Sequence, residues 1–225
     1  MATGTLILRP SADISVEHEK EPSNSANAYS LISEEVADDD STYLKGAVSI
    51  ASGKRESLSS FRMSLSSPAK IDRVTKVTVT ERISGSKYFE DGQVYGEYFT
   101  LSINGTALQE YQIAKSLPTG YANYTLSVPA AVTPINNYIE DNISLPEITI
   151  SLRTYYGGGS KSFYSNITQV YITIEYEYSE DIGVYHKVGG AWKPATAAYK
   201  KVNGTWTEIT GDECKAYLKE QFGVT

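Results

Sequence analysis

The sequence predicts an all-β protein: an antiparallel β-sandwich or jelly roll, followed by a small β-hairpin repeat and one C-terminal helix. Three observations carry that expectation. Runs rich in Val, Ile, Thr and Tyr alternate apolar and polar residues with period two. The separators between them carry turn chemistry, such as Asn104-Gly105 and the Gly157-Gly158-Gly159 run. Near the end, "VYHKVGGAWKPATAAYKKVNGTW" writes one motif twice: Tyr185, Lys187, Val188, Gly190 and Trp192 return as Tyr199, Lys201, Val202, Gly204 and Trp206.

The early segment "SADISVEHEKEPSNSANAYSLISEEVADDDSTYL" has the least regular pattern and reads as short strands joined by long surface loops. Seven strand-like runs follow: "STYLKGAVSI", "SLSSFRMSLS", "DRVTKVTVTERI", "GEYFTLSING", "YANYTLSVP", "PEITISLRTYY" and "NITQVYITIEYEY". In the last, Val170, Ile172 and Ile174 fall on one face and Tyr171, Thr173 and Glu175 on the other. Within "TPINNYIEDN" (Thr133 to Asn142) a single helical turn is expected. Strands this numerous, with no amphipathic helix between them, pair antiparallel in two layers.

"SEDIG" at Ser179 marks a boundary, giving a sandwich domain over 1–179 and a small unit over 183–225. Gly189-Gly190 and Asn203-Gly204 sit where two-residue hairpin turns belong. In the tail, Thr210 and Glu213 have capping-box spacing, and Cys214, Tyr217, Leu218 and Phe222 form an apolar stripe. The two hairpins are expected to join in one mini-sheet covered by this helix, with Cys214 as a packing residue.

Composition narrows the function. The 225 residues carry a net charge of -7 with no basic cluster, which disfavours nucleic acid as a partner. Neither a membrane-spanning stretch nor a signal peptide is legible, so membrane partners and secretion are not expected. The sequons at Asn104, Asn123, Asn142, Asn166 and Asn203 then read as by-products of composition. A lone cysteine forms no internal disulfide.

Catalytic chemistry is not marked. The two histidines, His18 and His186, lie far apart; His18, in "VEHEKE", reads as a solvated side chain. No nucleophile elbow, phosphate loop or cysteine zinc set occurs. Carboxylate pairs could be drawn from Glu34-Glu35, Asp38-Asp39-Asp40 or Glu90-Asp91, and the three aspartates are the one candidate for calcium, without EF-hand spacing. No enzyme activity, cofactor or metal is expected.

Tyrosine is the anomaly, at 18 against 5 Phe and 2 Trp. Its ring suits half-buried strands and binding surfaces alike. Tyr185, Trp192, Tyr199 and Trp206 are the candidate docking residues, although so small a unit could equally use them as its own core. Tyr121, Tyr124, Tyr155 and Tyr156 are candidate glycan platforms.

The stretch "LILRPSADISVEHEKEPSNSANAYSLISEEVADDDSTYL", the strands ending at "QVYITIEYEY" and the doubled "YHKVGGAWK…YKKVNGTW" together resemble virion structural proteins of tailed phages and prophages of Gram-positive bacteria. The resemblance implies a tail- or head-associated β-sandwich protein, made in the host cytoplasm without disulfides and released in the virion. It implies other virion proteins as partners and a homo-oligomer. The alternative is a lectin-like module that attaches the particle to a cell-surface glycan.

Overall fold

In the computed structural model the described residues are 2–36, 41–48, 56–65, 71–85, 95–114, 117, 119–142, 144–156, 163–178, 185–188, 191–194, 198–202, 204–209, 213, 214, 216 and 220; for 48, 95, 156, 163, 185–188, 191–194, 198 and 202 the backbone alone is described. The strands in order are β1 (Ala2–Leu8), β2 (Pro10–Val16), β3 (Glu19–Glu21), β4 (Tyr43–Val48), β5 (Glu56–Met63), β6 (Arg73–Gly85), β7 (Tyr95–Ile103), β8 (Thr106–Ala107), β9 (Tyr111–Ala114) and β10 (Ala122–Ser127). Helix α1 (Val132–Asn142) precedes β11 (Ile148–Tyr156) and β12 (Phe163–Tyr178). Four short strands close the chain: β13 (Tyr185–Val188), β14 (Ala191–Pro194), β15 (Ala198–Val202) and β16 (Thr205–Ile209).

The protein is an all-β sandwich. One sheet runs β10-β6-β12-β4-β3, with β1 also on β12. The other runs β2-β5-β11-β7-β8, with β9 also on β7. From β4 onward the long strands β4, β5, β6, β7, β10, β11 and β12 fall alternately in the first and second sheet. Each therefore pairs with strands distant in sequence, which is the weave of a jelly roll. Asn104-Gly105 makes the tight reversal the sequence predicts, with φ of 48° and 77°.

Period two explains the core. Phe61 and Met63 of β5, Phe99 and Leu101 of β7, Ile150 and Leu152 of β11, and Val170, Ile172 and Ile174 of β12 are all at most 1% exposed. The alternate residues Tyr171, Thr173 and Glu175 are half-buried, as expected. Each inward aliphatic or aromatic side chain contributes about 1.5–3 kcal/mol from burial.

α1 runs to eleven residues, longer than the single turn expected from its sequence. Tertiary packing extends it: Ile135 and Ile139, four apart, are buried. Between them Asn136 clips the helix to β6. The Val74 N–H donates to Asn136 Oδ1 at 2.7 Å, and Asn136 Nδ2–H donates back to the Val74 carbonyl at 2.9 Å.

The chain divides into two compact units, Gly4–Tyr176 and Met1–Thr3 with Glu177–Thr225. In the second unit the expected single mini-sheet is not formed. β13–β14 and β15–β16 are separate two-stranded sheets. Each hairpin pairs its two strands within its own motif, so the repeat yields two copies of one local structure. Glu213, Cys214, Ala216 and Glu220 have helical backbone, and Cys214 is buried at 5% exposure, in keeping with a packing role.

Candidate functional site

Three features stand out. The first is the β15–β16 hairpin. Its register pairs Tyr199 with Glu208 and Lys201 with Trp206, so these four share one face, while Lys200, Thr207 and Ile209 share the other. Ile209 is 6% exposed, whereas Tyr199 and Trp206 are 55% and 67% exposed. The Lys201 ammonium lies 6.0 Å from the Trp206 ring centroid. Burial on this hairpin thus falls on Ile209 and not on these two rings, which corrects the reading of them as core. β13–β14 repeats the register, with Lys187 opposite Trp192 and Tyr185 opposite Pro194. The side chains of Tyr185 and Trp192 lie outside the described residues.

The second feature lies on the outer face of the second sheet. Glu97 and Phe99 point into the core, so Tyr98 between them points out. Arg153 is its register partner on β11, with Leu58 opposite on β5. Tyr155, two residues on, shares that face. The guanidinium sits 4.8 Å from the Tyr98 ring centroid and 4.7 Å from that of Tyr155. It donates to Glu110 through Nε (2.7 Å) and Nη2 (2.5 Å), and to Glu56 through Nη1 (3.4 Å). These carboxylates raise the Arg153 pKa. Burial raises the Tyr98 pKa, against the pull of Arg153. Gln112 Nε2–H donates to the Tyr98 hydroxyl at 3.0 Å. Beyond the rings the floor is made of small hydroxyls: Ser151 pairs in register with Ser60 and Thr100, and its Oγ is 2.7 Å from that of Ser60.

The third feature is a polar chain inside the sandwich. His18 is 3% exposed, which corrects the expectation of a solvated side chain. Ser59 Oγ accepts from the backbone N–H groups of Glu17 (3.0 Å) and His18 (3.1 Å). With both lone pairs taken, its O–H donates to His18 Nδ1 at 2.7 Å. The ring proton therefore sits on Nε2, which donates to Thr154 Oγ1 at 3.1 Å. Thr154 O–H in turn donates to Glu97, at 2.8 Å from Oε2, and Ser165 Oγ lies 2.8 Å from Thr154 Oγ1. Gly46 makes room for this junction, since a Cβ there would stand 1.8 Å from Thr154 Oγ1.

Glu97 is fully buried. Desolvation pushes its carboxyl up to about 7, although the Ser165 and Thr154 hydroxyls and the charge of Arg153 pull it down. Glu81 of β6 is also fully buried, and among the described residues neither of its carboxylate oxygens has a hydrogen-bond partner. Burial, then the charge of Glu97, hold its carboxyl well above the usual range. Burial thus shifts both carboxyls toward the protonated form.

The expected carboxylate pairs did not include these two. Their signal is parity: "VTVTERI" puts Glu81 in the column of Val77, Val79 and Ile83, and "EYFTLSI" puts Glu97 in that of Phe99, Leu101 and Ile103. Of the glycan candidates, Tyr155 joins the Tyr98–Arg153 cluster, and the Tyr156 side chain lies outside the described residues. Tyr124 pairs in register with Glu81, and Leu126 beside it with Val79, so Tyr124 faces the core side of its edge strand. Tyr121 lies near Arg82, whose guanidinium is 5.7 Å from its ring centroid. Asp38, Asp39, Asp40, Glu90 and Asp91 lie outside the described residues. Among the described residues no group of three or more His, Cys, Asp or Glu is placed to hold a metal ion, and no helix is long and apolar enough to cross a membrane.

No protein-family model matches the chain. Nor does any curated protein sequence. Solved structures give loose likenesses. A Stig cyclase, Fisc from Fischerella sp. TAU, is 16% identical at a TM-score of 0.37, covering 78% of this chain and 76% of its own. The carbohydrate-binding module TmCBM61, solved with β-1,4-galactotriose, is 13% identical at 0.31, covering 60% and 72%. The glycoside hydrolase domain of Endo-D from Streptococcus pneumoniae R6 is 10% identical at 0.30, covering 92% and 30%. At these TM-scores neither fold nor function is drawn from the likeness.

Proposed function

We propose that the chain is a non-enzymatic structural component of a tailed-phage virion, docking onto a neighbouring subunit through its C-terminal hairpins. The virion setting rests on the sequence resemblance. The docking role rests on one observation: Tyr199 and Trp206 stand on one hairpin face at 55% and 67% exposure, while Ile209 on the opposite face is 6% exposed. Trp and Tyr dominate binding hot spots because each buries a large area at low entropy cost. The test is the mass of the full chain by light scattering, and its uptake into particles, beside a Tyr199→Ala/Trp206→Ala variant. Loss of multimer or of uptake, with the sandwich melting as before, is expected. Equal mass and equal uptake would refute the docking role.

A second reading, a lectin-like module that attaches the particle to the host surface, is favoured by the Tyr98–Arg153–Tyr155 cluster. The readings are compatible, because the cluster and the hairpins belong to different compact units.

A further inference from the structure

We infer that the Tyr98–Arg153–Tyr155 end of the second sheet's outer face binds an uncharged glycan; the inference rests on the lectin-like reading and gives it residues and a ligand class. A pyranose has an apolar C–H face that covers an aromatic ring as any hydrocarbon does, and a rim of hydroxyls that each donate and accept. The patch offers both. Two tyrosine rings lie beside the donors of Arg153 and Gln112 and the acceptors of Glu56 and Glu110. Ser60, Ser151 and Thr100 extend it as a floor of small hydroxyls, able to meet the hydroxyls of further sugar units.

The patch is also preorganised. Three of the five guanidinium N–H groups are held by Glu110 and Glu56, and the plane is wedged against both rings. Little side-chain entropy is left to lose on binding, which is where weak carbohydrate contacts gain affinity.

Charge selects the class of glycan. Arg153 contributes +1 and Glu56 and Glu110 -1 each, so the cluster carries a net charge of -1. The bidentate edge of the guanidinium is already taken by Glu110. A uronate, sulfate or phosphate would have to displace one carboxylate and meet the other, so anionic polymers are repelled. A basic peptide would be drawn by the charge, but beside the two rings the patch offers it, among the described residues, Leu58 alone, 39% exposed, as an apolar anchor.

The experiment is native gel electrophoresis of the full chain through soluble glucan, galactan, mannan and rhamnan, with polygalacturonate and polylysine as charged contrasts. Retardation by at least one neutral polymer is expected, weakened about tenfold in both Tyr155→Ala and Arg153→Lys with melting unchanged. Trp206→Ala should bind as the parent does. Neutral-polymer binding that survives both substitutions would overturn the site, and retardation by polygalacturonate or polylysine alone would overturn the ligand class. If no carbohydrate retards the chain, the lectin-like reading falls with it, while the docking role stands on its own test.

Discussion

Replacing Glu97 by glutamine should flatten the dependence of stability on pH. The folded carboxyl is pushed up to about 7 from an ordinary 4.5 by burial, so between those values the folded state holds a proton that the unfolded state has released. Stability therefore falls as pH rises from about 4.5 through about 7 and is level above. At about 1.4 kcal/mol per pH unit the full loss is roughly 3 kcal/mol, of which roughly 2.5 kcal/mol falls between pH 5 and pH 8. Glutamine keeps an acceptor for the Thr154 hydroxyl and removes the charge. Urea unfolding at pH 5 and pH 8 measures the effect. The parent should lose roughly 2.5 kcal/mol more than Glu97→Gln across that interval, and the variant should be the more stable protein at pH 8. Any slope left in the variant belongs to Glu81, whose carboxyl is raised by its own burial. An equal pH 5-to-8 difference in the two proteins would refute the reasoning, because it would mean that Glu97 ionises alike in the folded and unfolded chain.

Two further substitutions probe the same framework. Gly46→Ala should cost about 3 kcal/mol in urea unfolding, because its Cβ meets Thr154 at 1.8 Å from Oγ1 and 2.5 Å from Cβ and neither sheet can retreat. Asn136→Ala should cost about 2 kcal/mol and speed hydrogen exchange at the Val74 amide, which loses its acceptor while remaining buried.

What was legible in the sequence was whatever period two writes locally. The column Val170, Ile172 and Ile174 reads directly as a core face, and Asn104-Gly105 as a tight turn. The same rule marks Glu81 and Glu97, since each occupies an inward place in an otherwise apolar column, a parity signal that the adjacent acidic runs do not carry. His18 had no such signal: "VEHEKE" looks solvated, and its burial comes from Ser59 and Thr154, 41 and 136 residues away in the chain. The Tyr98–Arg153–Tyr155 cluster is hidden for the same reason, being assembled by strands that meet only in the folded sheet. The doubled motif was plain, but whether its copies merge depends on edge pairing, which the repeated words do not encode.

The place of β12 bears on how such a chain matures. It pairs with β6, β4 and β1, so three strands of the first sheet remain without their central neighbour until the sixteen residues of β12 have been synthesised. Long-range pairing of this kind is slow, and a chain caught before it presents open strand edges to its neighbours. The hairpins that follow close locally and need no such wait. During synthesis the sandwich cannot close before its last strand arrives, and the two hairpins, which lie after β12 in the chain, emerge only once that strand has been made.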